Sequence, residues 1–133
     1  MRAPDVLIIE DDEPTRSFLR IVCKHLGYAP KVLAEGDEAI AELEKNQEWR
    51  VLLLDLYLPK RNGFQLIEDL RSRAPQLLSR TIVMTAGGER DIQRIRDLGL
   101  VHCVMRKPLD NNELNQRMAT CASMPSRVAV RLH

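Results

Sequence analysis

The segment Val51-Leu52-Leu53-Leu54-Asp55-Leu56-Tyr57-Leu58-Pro59 decides the fold of this chain. Val51 to Leu54 is its most strand-like run and is apolar on both faces. That is the signature of a central strand in a parallel sheet, where helices cover both sides. The run ends on a carboxylate, Asp55, and the same arrangement recurs along the chain.

Before it, Val6-Leu7-Ile8-Ile9 is a first strand and is followed directly by Glu10 and Asp11. Pro14 to Leu26 is then a helix, because Phe18, Leu19, Val22, Cys23 and Leu26 recur on one face. Pro14 suits its first turn and Gly27 its end. A second strand is predicted at Ala29 to Leu33, and Pro30 assigns it to an edge because proline cannot donate to a ladder. Asp37 to Asn46 is helical through Ala39, Ile40 and Leu43.

After it, Gly63 to Arg73 is a third helix, Thr81 to Met84 a fourth strand, and Arg90 to Leu98 a helix closed by Gly99. His102 to Met105 is a fifth strand. Asp110 to Cys121 is a last helix that Asp110 can cap. Five strands alternating with five helices predict an α/β fold with a doubly wound parallel sheet. One domain fits 133 residues. The segment 123–133 reads differently, since Val128, Val130 and Leu132 alternate after Pro125. It fits an extra edge strand, a docking segment or the start of a linker.

Composition removes several classes of function. Twenty basic against 19 acidic residues leave a net charge of +1, so no bulk electrostatic attraction to nucleic acid or an anionic membrane is expected. The apolar runs fall far short of a membrane span, and the N-terminus lacks a secretory pattern, so a cytoplasmic location is expected. Cys23, Cys103 and Cys121 are odd in number and form no CxxC, which predicts reduced structural thiols.

In a doubly wound sheet, ligands bind beyond the carboxyl ends of the strands. Glu10 and Asp11 follow the first strand, Asp55 ends the third, Thr85 the fourth, and Lys107 follows the fifth. Crossover connections return every strand in the same direction, so these residues converge on one edge. Three carboxylates in a partly dry site repel one another, and a hard divalent cation neutralises them. Magnesium fits, since it takes oxygen ligands and commonly bridges carboxylates to phosphate. A carboxylate so placed can attack phosphorus, with the metal and Lys107 balancing the developing charge and the Thr85 hydroxyl meeting a phosphoryl oxygen. Each residue has a plainer reading. Asp11 and Asp12 could be helix caps, Thr85 an ordinary strand end, Lys107 a surface charge; their coincidence at four strand ends argues for a site.

The segments Ile8-Ile9-Glu10-Asp11-Asp12, Leu53-Leu54-Asp55-Leu56-Tyr57-Leu58-Pro59 with Gly63, Val83-Met84-Thr85-Ala86, and Lys107-Pro108 together resemble the response-regulator receiver domain, over roughly residues 5–122. The resemblance implies a flavodoxin-like sheet of order 2-1-3-4-5. Asp55 is then expected to accept a phosphoryl group from a phosphohistidine of a sensor histidine kinase or phosphotransfer protein. Asp11, Asp55 and the carbonyl of Tyr57 would bind Mg2+, with Glu10 acting through water and Asp12 left in the loop. Lys107 would contact the phosphoryl group, its bond to Pro108 being cis.

The resemblance also puts Tyr57 and Gly87 where side chains tune water access to the acyl phosphate. One position departs from the pattern, Val104, where the family commonly has an aromatic that moves with the threonine. Signalling is therefore expected to run through the loop after Thr85 and the helix Arg90 to Leu98.

Two other functions compete. An aspartate phosphohydrolase typically needs an acid two residues past its nucleophile, and Tyr57 stands there instead. A receiver-like interaction module working without phosphorylation would not require the full polar set. The output is expected in a separate partner or in sequence outside this chain, with a homodimer through the last two helices also open. His25, His102 and His133 are isolated, which argues against a histidine metal site. Trp49 reads as a packing residue. Arg90, Arg94 and Arg96 read as a solvated face or, more sharply, as a partner surface.

Overall fold

The computed structural model describes residues 2–124, and within them the alternation anticipated from the hydrophobic pattern is complete. Strands β1 (Val6–Ile9), β2 (Pro30–Leu33), β3 (Val51–Asp55), β4 (Thr81–Thr85) and β5 (Cys103–Arg106) form one parallel sheet in the order β2-β1-β3-β4-β5. The helices are α1 (Glu13–His25), α2 (Gly36–Lys45), α3 (Gly63–Arg73), α4 (Pro75–Leu78), α5 (Glu89–Leu98) and α6 (Asn111–Ala122). The doubly wound arrangement and strand order are as expected. The single-turn α4 is an addition, four residues long and too short to show a period. The segment from residue 125 onward, with its strand-like alternation, lies outside the described residues.

The alternation of side chains across the sheet divides the core in two. Leu7, Ile9, Leu52 and Leu54 point into a layer shared with Ala39, Leu66 and Ile92 of α2, α3 and α5. Val6, Ile8, Val51 and Leu53 point the other way, against Leu19 and Val22 of α1 and Leu114 and Met118 of α6. Every residue of β3 is buried, as a strand covered on both faces must be. β2 lies at the edge, where Pro30 costs the sheet no internal hydrogen bond.

Local chemistry fixes the helix starts. The Asp12 carboxylate accepts from the Thr15 N–H at 3.1 Å, so the plainer capping role falls to Asp12 and leaves Asp11 out of it. Asn62 and Gln65 form a capping box at α3, and Asp110 caps α6 as anticipated. Gly99, at φ 64°, ends α5 in the left-handed region. His102 stands one residue before β5, though its N–H still donates to the Thr81 carbonyl at 2.9 Å. Trp49 is buried and donates to the Asn46 carbonyl at 3.0 Å, which confirms its packing role.

The loop from β3 to α3 folds back on its own strand. The Gly63 N–H donates to the Leu56 carbonyl at 2.7 Å, and a Cβ at Gly63 would lie 2.7 Å from the Leu56 Cα. Only glycine permits that approach. The same loop is tied sideways by Lys60 to Glu35 at 2.9 Å and by Arg61 to Asp37 at 3.3 Å.

Candidate functional site

Strand order reverses between β1 and β3, since the chain leaves β1 for β2 on one side and returns to β3 on the other. The carboxyl ends of these two strands carry Glu10, Asp11 and Asp55, and one carboxylate oxygen from each lies within 4.8 Å of the others. Glu10 is wholly buried, Asp55 is 4% exposed, and Asp11 faces solvent. The sequence-predicted acidic pocket is thus assembled, open on the Asp11 side.

The oxygens of Asp55 and Glu10 are held. Asp55 Oδ1 accepts from the Tyr57 N–H at 3.2 Å, and its Oδ2 stands 3.4 Å from Lys107 Nζ. Lys107 donates to Glu10 Oε1 at 2.5 Å, and the second Glu10 oxygen accepts from the Asp12 N–H at 3.3 Å. Lys107 follows β5 at the far edge of the sheet, and its long side chain passes the ends of β4 and β3 to reach Glu10 after β1. Its own N–H donates to the Thr85 carbonyl at 2.8 Å, and its bond to Pro108 is cis. Thr85 is fully buried, and its hydroxyl accepts from the Gly87 N–H at 2.9 Å.

Three carboxylates against one ammonium leave the pocket short of positive charge. Burial pushes the Asp55 carboxyl up to about 8, with the Glu10 hydrogen bond and charge adding to the rise and Lys107 opposing it. Burial alone would lower Lys107, but the Glu10 hydrogen bond and the charges of Asp55 and Glu10 outweigh it and hold the ammonium above its usual range. This all-oxygen set, with two negative charges in excess once all three carboxyls are ionised, suits a hard divalent cation.

Arg16 was not singled out from the sequence, yet it braces the pocket. Its guanidinium donates to the Asp11 carbonyl at 2.9 Å and the Glu10 carbonyl at 3.2 Å, and it also pairs with Glu13. One cation thereby fixes the backbone that presents both acids. Its only trace in the sequence is an arginine one turn into the helix after an acidic pair. Tyr57 is 47% exposed, and its ring edge lies over Gly87: a Cβ there would meet Tyr57 Cε2 at 2.9 Å and both Thr85 Oγ1 and Asp91 Oδ2 at 3.0 Å. Val104 is buried in the layer beneath α5. No helix of the described residues is long and apolar enough to cross a membrane.

The family model for the response regulator receiver domain matches residues 6–119. The phosphate regulon transcriptional regulatory protein PhoB of Escherichia coli (strain K12) is 29% identical over 127 residues, covering 94% of this chain and 54% of its own length. The TorCAD operon transcriptional regulatory protein TorR of the same organism is 32% identical over 114 residues, covering 85% and 47%. The chain thus spans about half the length of these curated relatives. Among solved structures, a putative response regulator from Chloroflexus aurantiacus J-10-fl superposes with a TM-score of 0.79 at 25% identity, covering 92% of this chain and all of that one. A signal receiver domain of a signal transduction histidine kinase from Syntrophus aciditrophicus gives 0.79 at 24% identity, covering 94% of each chain. With the sheet order, the acidic pocket and this match in agreement, the chain belongs to the response regulator receiver domain family.

Proposed function

We propose that Asp55 accepts a phosphoryl group from a phosphohistidine of a sensor histidine kinase or a histidine phosphotransfer protein in the cytoplasm. The observation that carries this reading is the placement of Asp55. A carboxylate 4% exposed, with two other carboxylates and a lysine ammonium about it, is costly to keep as a structural element. Charge of that kind is retained where chemistry uses it.

In the transfer, an Asp55 oxygen forms the new bond to phosphorus as the bond from phosphorus to the histidine nitrogen breaks. The electron pair of that bond stays on the imidazole. Asp11, Asp55 and the Tyr57 carbonyl would hold Mg2+, with Glu10 acting through water. When bound, the cation supplies neutralising charge for the phosphoryl oxygens. Lys107 is already 3.4 Å from Asp55 and serves as the second cation toward the same oxygens. Thr85 offers its hydroxyl to a phosphoryl oxygen. Its oxygen accepts the Gly87 N–H through a lone pair and its O–H proton is still available to donate, so a side chain turned toward the phosphoryl group would draw Gly87 and the start of the β4–α5 loop with it.

The step is a single transfer onto the protein. Tyr57 stands where a hydrolase of this chemistry would carry its proton donor, so turnover is expected to be at most slow self-dephosphorylation. Output is assigned to a downstream partner or an attached domain.

The test is incubation of the chain with Mg2+ and acetyl phosphate, followed by intact-mass measurement and acid or hydroxylamine lability. One labile phosphoryl group per chain, absent from Asp55→Asn and abolished by EDTA, is the expected result. No adduct with any phosphodonor would make this a receiver-like interaction module, and sustained turnover of phosphomonoesters would make it a hydrolase.

A further inference from the structure

α5 follows the loop that Thr85 begins, so whatever fixes its position governs how a change in the pocket reaches the surface. Two aromatic residues of the segment after Asp55 reach toward it. The Tyr57 ring covers Gly87, next to the Asp91 carboxylate at the start of α5. One turn further along, the Arg94 guanidinium of α5 stacks on the Phe64 ring of α3, 4.1 Å from its centroid. Arg94 is exposed, and Phe64 is half-buried against the core layer that also holds Ile92, Ile95 and Val104.

Phe64 has a short and stiff route back to Asp55. It directly follows Gly63, whose backbone lies on Leu56, the residue after Asp55. The Asn62 and Gln65 capping box fixes the turn on which Phe64 stands. The Leu56 N–H in turn donates to the Met84 carbonyl at 2.9 Å, one residue before Thr85. From the other side, the strand next to Thr85 presents a buried valine, Val104, beneath the same helix.

We infer that Phe64 and Arg94 are positioning residues, forming the joint by which the segment after Asp55 sets the position of α5. A change in the pocket is transmitted to that helix through this stack. A guanidinium over a ring face is held by stacking and by the ring quadrupole together, which ties the two helices at one defined point. Two elements in mutual contact that each respond to the pocket are what coupling requires. This inference rests on the phosphoacceptor reading of Asp55 above.

The experiment uses the full chain with Mg2+, with and without beryllofluoride as the phosphoryl mimic, and follows amide hydrogen exchange in peptides spanning 89–98. Adduct formation from acetyl phosphate is measured on the same preparations. Phe64→Leu keeps apolar bulk and loses the ring, Arg94→Gln loses the cation from an exposed position, and Phe64→Tyr keeps the ring. In Phe64→Leu and Arg94→Gln, adduct formation is expected to match the parent within about twofold, while the exchange response of α5 falls by about threefold or more. Phe64→Tyr is expected to restore that response. An adduct accompanied by an unchanged α5 response in Phe64→Leu and Arg94→Gln overturns this inference alone. Absence of any adduct on the parent overturns the phosphoacceptor reading and this inference with it.

Discussion

Replacing Asp55 by asparagine is expected to stabilise the protein when divalent cations are removed, although it destroys the proposed chemistry. At an effective dielectric of about 20, two unit charges at the 4.8 Å limit that bounds the acidic cluster repel by about 3.5 kcal/mol. Asp55 faces two such partners, Glu10 and Asp11, for a cost of about 7 kcal/mol. Lys107, at 3.4 Å, returns about 5 kcal/mol on the same scale. These charge contacts alone leave a penalty of about 2 kcal/mol, burial of the ionised carboxyl adds to it, and asparagine removes both while its side-chain oxygen can still accept the Tyr57 N–H.

The sign with pH follows from the direction of the shift. The folded-state pKa of Asp55 is raised, so the folded protein holds this proton more tightly than the unfolded chain does. The penalty is therefore absent below the ordinary carboxylate pKa of about 4 and grows as pH rises toward about 8. The assay is thermal or urea unfolding of both proteins in EDTA from pH 4 to 8. Asp55→Asn should melt roughly 5–8 °C above the parent at pH 8 and level with it at pH 4. Mg2+ should raise the parent and leave the variant near its EDTA value. A variant equal to or less stable than the parent in EDTA at pH 8 would refute the picture of an overcharged pocket.

Three further outcomes follow from the same geometry. Gly63→Ala is expected to destabilise the fold by about 3 kcal/mol in urea unfolding, because its Cβ meets the Leu56 backbone, which cannot rotate away; a loss below about 1 kcal/mol would show that this approach is slack. Tyr57→Ala is expected to shorten the lifetime of the Asp55 adduct by uncovering Gly87 and Thr85, so an unchanged dephosphorylation rate would remove Tyr57 from the control of water access. Burial pushes Cys23 and Cys121 up to about 12, so neither should take iodoacetamide at pH 8 in the native protein, while both should react in denaturant. Native labelling of either would contradict their buried, protonated state.

The parts of the molecule legible in its sequence are those set by one-dimensional periodicity. The run Val51 to Leu54 is buried on both faces because its apolar pattern has no polar side, and Pro30 marked an edge strand because its backbone cannot donate. Glu10, Asp11, Asp55, Thr85 and Lys107 could be found because a parallel sheet delivers every strand end to the same rim, so position along the chain converts directly into proximity. What escaped depended on contacts between elements. Arg94 lies on the outward stripe of α5 and reads as solvated, yet a guanidinium on three methylenes folds over to Phe64, a residue 30 positions earlier. Arg16 acts through backbone carbonyls, which have no letter in a sequence. α4 has too few turns to produce a period, and the need for Gly63 appears only once the loop is seen lying on Leu56.

The ammonium of Lys107 meets the carboxylate of Glu10 across 97 positions of sequence. In the sheet β3 and β4 stand between β1 and β5, so both must be seated before that bond can close, and β5 is the outer strand on that side. A chain that stops short of β5, or whose last strand has frayed, keeps its acids but lacks the cation that balances them. The charge balance of the pocket is thereby tied to the seating of β5.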